Sequence, residues 1–377
     1  VAFDNVTRQL YATDASIYQV VPTAVAFPRN ALQAGALIRA ATEAGLSVTP
    51  RGAGTGLTGG AVGDGVILDF ARHNRCIGEL DLEQRTVRVG AGVVLDQLNE
   101  FLRPYKLCFG PDVATSSRAT LGGMIGNNSS GARTPLYGMT VDHVKSLEIV
   151  MADGSVTQVG EGFEGGLPKQ SAVIENIALF NSLEIAENRP PGLLKRWPGY
   201  AIERCLDGKC NLINILCGSE GTLAGIFSAE LKLVPLPAQK GLGILFFDSM
   251  AEAMQATVEL ADLKPAAVEH LDRLLLDQTR GQVEFEGARD LLMLDLDTRP
   301  CESILAVEFV DEVEDKLAAL ERRRLGRRKL ILTDPAAMNL FWSLRKAGLS
   351  LLTGRKGTAK PATCVEDTAV RPSDLPA

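Results

Sequence analysis

The chain has few of the residues that metal sites, disulfide frameworks and nucleic-acid surfaces require. Its three histidines, His73, His143 and His270, lie far apart with no metal-ligand spacing. The seven cysteines are Cys76, Cys108, Cys205, Cys210, Cys217, Cys301 and Cys364. They form no C-x-x-C pair, so we expect reduced thiols throughout, Cys205 and Cys210 included. Aromatic residues make up only 5%. Apolar stretches such as Gly241 to Phe247 fall far short of the roughly 20 residues of a membrane helix, and no charged segment leads into an apolar run at the N-terminus. Basic residues do not dominate either. With 39 Lys and Arg against 46 Asp and Glu the net charge is −7, which removes the general attraction to phosphate backbones or anionic lipid. No nucleic-acid partner and no transmembrane segment is expected. The expected location is cytoplasmic, with peripheral membrane association as the alternative.

What the sequence does have is length, apolar content and glycine. At 377 residues, 46% apolar, it exceeds what one hydrophobic core usually serves. Two regions are legible. From Pro28 to about Pro237 short β-branched runs alternate with helical patterns. Ala34, Leu37, Ala41 and Ala44 recur at helical spacing before a strand at Leu46 to Pro50. Strands follow at Val66 to Asp69, Thr86 to Val89, Val144 to Val150 and Gly225 to Val234. The prolines at 235 and 237 mark a boundary, giving expected domains 1–237 and 238–377. After it, Gly243 to Phe247 reads as a strand and Met250 to Leu260 as a helix. Between Arg299 and Arg328 the periods conflict, and we expect the numbering to run across a gap between Leu294 and Asn339. The basic run Arg322 to Lys329 reads as a solvated helix face, and His143 as a hydrogen-bonded loop histidine.

The glycine-rich segments carry the chemistry. Arg51 to Gly60 contains Gly54-x-Gly56-x-x-Gly59 directly after a strand. A dinucleotide-binding helix should follow such a fingerprint, but Gly60, Gly63 and Gly65 lead into another strand instead. The segment therefore reads as a nest. Consecutive glycines let several N–H groups face one anion, with Arg51, Thr55 and Thr58 as added donors, which suits a diphosphate. A second segment, Gly110 to Gly131, is too rich in Gly, Ser and Asn for a core element. It offers hydroxyls and amides for a polar ring system and Leu121, Met124 and Ile125 for the flat face of a ligand. A third, Cys217 to Ile226, holds Glu220 between glycines. Taken alone, the first also reads as a structural turn, the second as a flexible surface loop and the third as a tight connection.

In order and spacing, Pro50 to Gly60, Pro111 to Gly131, Leu136 to Val144 and Gly218 to Ile226 resemble the FAD-linked oxidoreductases of the vanillyl-alcohol-oxidase type. The nearest resemblance is to the D-lactate, glycolate and D-2-hydroxyglutarate dehydrogenases. It implies an α+β fold: a two-subdomain PCMH-type FAD-binding domain, then an α+β substrate or cap domain that is incomplete in this chain. It implies that Arg51, Gly52, Gly54, Thr55, Gly56 and Gly59 meet the FAD pyrophosphate. Pro111, Thr115, Thr120, Gly122, Gly123, Asn127, Ser129, Gly131, Glu220, Gly221 and Ile226 are implied as further FAD contacts. Some relatives tether the flavin through a histidine in the first loop. Neither His nor Cys occurs between Arg51 and Gly60, so FAD is expected to be held non-covalently.

Phe341 to Arg345 and Lys360 to Val370 match the second domain of that family. There, an Arg and a Lys fifteen residues apart contact substrate carboxylates, and Arg345 and Lys360 have that spacing. A guanidinium binds a carboxylate through two parallel bonds and an ammonium adds a point charge. Where the family has a threonine four residues after the Arg, this chain has Leu349. The family's metal and acid/base residues fall in motifs further downstream, so we name no catalytic residue and no metal ligand, and expect the native chain to continue beyond Ala377. The implied activity is oxidation of a small D-2-hydroxy acid by hydride transfer to FAD. Electrons would pass to an iron–sulfur protein or domain, or to a quinone. The alternative is a non-catalytic FAD-binding subunit of a multi-protein oxidase.

Overall fold

Small residues at helical spacing allow one helix to lie almost on its neighbour's backbone. The computed structural model describes residues 1–163, 165–188, 192–206, 210–296, 298–354, 357–358 and 368–377. In it, the Asn30 side chain accepts from the Gln33 N–H at 2.8 Å and opens the Ala31–Glu43 helix. The buried stripe Ala34, Gly35, Ile38 and Ala41 packs on a three-stranded parallel sheet of β1 (Ala24–Ala26), β2 (Val48–Arg51) and β3 (Val66–Asp69), ordered β1-β3-β2. A Cβ on Gly35 would come within 2.2 Å of the Gly154 carbonyl oxygen, so this approach requires glycine.

A five-stranded antiparallel sheet forms the second layer. Its strands are β4 (Ile77–Asp81) and β5 (Thr86–Gly90), then, beyond the short β6 (Leu107–Cys108), β7 (Val144–Val150), β8 (Val156–Gly160) and β9 (Gly225–Lys232). Their spatial order is β4-β5-β9-β7-β8, and β6 pairs with β10 (Val234–Pro235). The Leu95–Leu102 helix buries Leu95, Leu98 and Leu102 on this sheet. Contrary to expectation, the second glycine-rich segment also supplies a core element. Thr120 caps a Leu121–Asn127 helix, and Leu121, Met124 and Ile125, spaced i, i+3, i+4, are at most 2% exposed in the same core. They anchor the helix from below, and Met124 also borders the glycine-lined cleft above it.

The third sheet comes entirely from the C-terminal region. β11 (Gly241–Phe247), β12 (Ala267–Asp272), β13 (Ser303–Phe309) and β14 (Arg328–Leu332) are ordered β12-β13-β11-β14, all antiparallel. The Met250–Leu260 and Val313–Arg322 helices connect β11 to β12 and β13 to β14 and cover one face, a split βαβ arrangement. The Pro335–Lys346 helix and its neighbours cover the other. β11 and β13 are buried along their whole length; β11 accordingly reads as an unbroken apolar run, whereas β13 carries Ser303 and Glu308 into the interior.

Two expectations are corrected here. Cys205 and Cys210 form a disulfide, their Cα atoms 4.4 Å apart, instead of remaining free thiols. The basic run is not a solvated helix face, because only Arg322 lies in the Val313–Arg322 helix. Lys329 donates to the Leu320 and Glu321 carbonyls at the end of that helix, Arg328 stacks 3.7 Å from the Phe246 ring centroid, and Arg323 pairs with Asp262. His143 is buried with Nε2 2.7 Å from the Tyr137 carbonyl oxygen, as a bonded loop histidine should be. Among the described residues no helix is long and apolar enough to cross a membrane.

Candidate functional site

β2 ends at Arg51, and the glycine segment begins at once. From Ala53 to Gly60 none of the N–H groups donates to another protein group among the described residues, so eight successive donors are left for water or a ligand. No helix follows before β3, as the nest reading requires. Arg51 also ties the loop to the rest of the chain. Its guanidinium donates to the carbonyls of Thr13 at 2.7 Å, Ala61 at 2.9 Å and Tyr11 at 3.3 Å, and lies 5.1 Å from the Tyr11 ring centroid. Burial pulls its pKa down, countered by Asp14, Tyr11 and Asp69. Arg51 thus staples the N-terminal segment to the loop while also lining the cleft.

The other two segments close on the first. A Cβ on Gly52 would meet Thr120 Oγ1 at 2.2 Å, which places the start of the first loop against the cap of the Leu121–Asn127 helix. The Gly218 and Glu220 N–H groups donate to the Ile125 and Gly126 carbonyls at 3.0 and 2.9 Å, so the third segment caps the end of that helix. Glu220 takes a left-handed φ of 51° to do so. Its carboxylate lies 3.5 Å from where a Cβ on Gly60 would sit, and Gly221 abuts Pro50.

Together they line one cleft of about 440 Å³. Of the expected cofactor residues, Arg51, Gly52, Gly54, Thr55 and Gly56 line it from the first loop. Thr115, Thr120, Gly122, Gly123, Asn127 and Ser129 line it from the second, and Glu220, Gly221 and Ile226 from the third. Gly59, Pro111 and Gly131 are not in its wall. Gly59 faces Tyr18, with 2.6 Å for an added Cβ; Pro111 is buried; a Cβ on Gly131 would sit 1.8 Å from the Asp112 carbonyl oxygen. These three shape the wall from behind. From the C-terminal region Arg345 and Leu349 reach the same cleft. Lys360 lies outside the described residues.

Sequence reasoning missed Lys195, which also lines the cleft, and Glu269, whose Oε2 accepts from Arg345 Nε at 2.5 Å. Neither sits in a recognisable pattern. Only the meeting of β12 with the Pro335–Lys346 helix makes Glu269 a partner.

The cleft suits FAD on three counts. It offers unengaged backbone donors for a diphosphate. A side chain at Gly56 or Gly126 would meet nothing within 4 Å and would project into open space, so a ligand can approach the bare backbone there. No described residue lining it is His, Cys or Tyr, so its wall supplies no ordinary anchor for a covalent flavin. Family comparison agrees with this geometry. Residues 22–160 match the model of the FAD binding domain, and residues 236–377 that of the C-terminal domain of FAD linked oxidases. The chain belongs to the FAD-linked oxidase family.

Its relatives in this family include a D-2-hydroxyglutarate dehydrogenase of Pantoea ananatis, 32% identical over 98% of this chain and 39% of the relative. One from Pseudomonas putida is 33% identical over 100% and 40%. A D-lactate dehydrogenase of Archaeoglobus fulgidus is 32% identical over 71% and 52%. The chain thus spans about two-fifths of the length of the hydroxyglutarate dehydrogenases it matches. Among solved structures, alkyldihydroxyacetonephosphate synthase shares the fold, with a TM-score of 0.66 at 17% identity over 94% of this chain and 61% of that one. The α+β, PCMH-type architecture read from the sequence is therefore borne out.

Proposed function

We propose that this chain is the flavoprotein part of a dehydrogenase that oxidises a D-2-hydroxy acid, with FAD held non-covalently in the three-loop cleft. The division we propose is a cofactor domain over residues 1–237 and a substrate or cap domain over 238–377. The observation that carries the reading is the entry of Arg345, from the second region, into the cleft that the cofactor loops line. FAD, when bound, would supply the acceptor for the hydride leaving C2 while the hydroxyl proton passes to a base.

The chain's own residues orient and enclose. The N–H groups of residues 53–60 would hold the diphosphate. Arg345, fixed through Nε by Glu269, would turn its Nη groups toward a substrate carboxylate, a charge-assisted contact that would set which face of C2 is presented. Lys360 is proposed as the second cation of that subsite. Leu349 lines the cleft one helical turn beyond Arg345 and excludes water beside it. Re-oxidation requires an acceptor, for which we propose an iron–sulfur protein or domain, or a quinone.

Adding D-lactate, glycolate or D-2-hydroxyglutarate to the oxidised full-length protein without oxygen tests the reading. Bleaching of the flavin absorbance by at least one acid is the expected result. A flavin-replete protein that none of them bleaches is a binding subunit instead.

A further inference from the structure

Beyond the cofactor cleft, a second space of about 630 Å³ opens between the two regions, and a buried charge network crosses its wall. Arg133, at the end of the second cofactor loop, sends Nε to Glu308 Oε1 at 2.6 Å and Nη2 to Glu308 Oε2 at 2.8 Å. Its Nη1 pairs with Asp112 from the other end of the same loop, and its guanidinium lies 5.6 Å from the Trp342 ring centroid. The Glu308 side chain is 0% exposed and that of Arg133 16%. Burial opposes the charge on Arg133, but the hydrogen bond to Glu308 and the fields of Asp112 and Glu308 outweigh it, so its pKa is raised. All three branches of one planar fork are engaged, which fixes both position and tilt.

The other end of this network leads to the substrate subsite. Glu308 stands opposite Ala267 on β12, and Glu269 stands opposite Ala306 on β13. Residues two apart on a strand share a face, so both carboxylates project from the same side of the third sheet. Glu308 holds the guanidinium of the cofactor loop and Glu269 holds that of Arg345. Trp342 and Arg345 lie three residues apart on one helix, which adds a second tie between Arg133 and the Arg345 helix. Apolar contacts would dock the two regions without burying three charges. What the ionic fork adds is a fixed geometry.

We propose that Arg133 and Glu308 are positioning residues, which set the distance and angle between the cofactor loop and Arg345 and so the approach of the substrate carbon to the flavin. This rests on the function proposed above. The test uses the full-length, flavin-loaded protein and its Arg133→Lys, Arg133→Ala and Glu308→Gln variants. Each should keep stoichiometric FAD yet show anaerobic flavin reduction at saturating hydroxy acid slowed roughly ten-fold or more, because the loss is one of orientation. Millimolar guanidinium should restore part of the rate in Arg133→Ala.

A second readout does not depend on turnover. Spin labels at the exposed positions of Arg118→Cys and Ser343→Cys, with Cys76→Ser, report the separation of loop and helix. One narrow distance distribution is expected with Arg133 intact and a broadened one in Arg133→Ala and Glu308→Gln. An unchanged distribution, or an unchanged reduction rate in a flavin-replete variant, overturns the proposal. A lowered melting temperature with the wild-type rate marks the pair as adhesive only. Should the parent protein reduce with no hydroxy acid, the functional reading falls, and the distance distributions still decide the positioning role.

Discussion

Between residues 53 and 60 the cleft is walled by a glycine-rich loop whose backbone N–H groups donate to no other protein group among the described residues, whereas Arg345, reaching it from the C-terminal region, is a charged side chain already paired with a carboxylate. The two walls obey different physics. A backbone nest works because Cβ atoms are missing, so adding atoms destroys it and local sequence suffices to specify it. A guanidinium in a cleft works only if something far away in the chain fixes its direction, so it fails when a distant partner is removed.

That contrast is most sharply tested at Gly56. A Cβ there meets no protein atom within 4 Å, so Gly56→Phe should fold normally while filling the space of the ligand. About 3 kcal/mol of lost binding, roughly a hundred-fold in affinity, should leave a colourless protein with an unchanged melting temperature. Stoichiometric flavin in the purified variant would show that the nest does not face the cofactor. The same measurement applied to Arg345→Ala should give the opposite pattern, with full flavin content and kcat/KM lowered roughly ten-fold or more by loss of the carboxylate contact. Wild-type kcat/KM would remove Arg345 from the substrate site.

Gly131 separates glycines that face the ligand from those that shape the wall. Its Cβ would strike the Asp112 carbonyl, so Gly131→Ala should cost about 1–3 kcal/mol of stability by denaturant unfolding and lower flavin affinity only through the displaced loop. A flavin affinity that falls while stability holds would return Gly131 to the cofactor wall. Acid precipitation should release all the flavin to the supernatant, and colour kept in the pellet would reveal a covalent link that the wall residues do not predict.

The smallest effect is electrostatic. Burial pushes the Glu203 carboxyl up, but the hydrogen bond from Arg196 and the charges of Arg196 and Arg204 prevail and hold it below its ordinary value of 4.5. A lowered folded-state pKa stabilises above the unfolded value and is lost as pH falls through the folded one. Glu203→Gln should therefore cost at most about 1 kcal/mol near pH 7, and the difference should shrink below about pH 4.5. A difference that stays constant into acid would mean that packing, not charge, carries the contribution.

The alternation of Thr86 to Val89, the unbroken apolar run of β11 and the three glycine segments were all legible in the sequence, because strand pleat, burial and a backbone nest are each encoded by neighbouring residues. What decided the rest is tertiary packing. Arg51 donates to carbonyls of the N-terminal segment, Leu121 and Ile125 turn into the core, and Cys205 meets Cys210. Glu308 receives Arg133 from 175 residues away, and Glu269 receives Arg345 from 76. No local period announces such pairs. A charge in sequence looks the same whether solvated or buried, and only the packing of one sheet against a loop and a helix selects which carboxylate each guanidinium will meet.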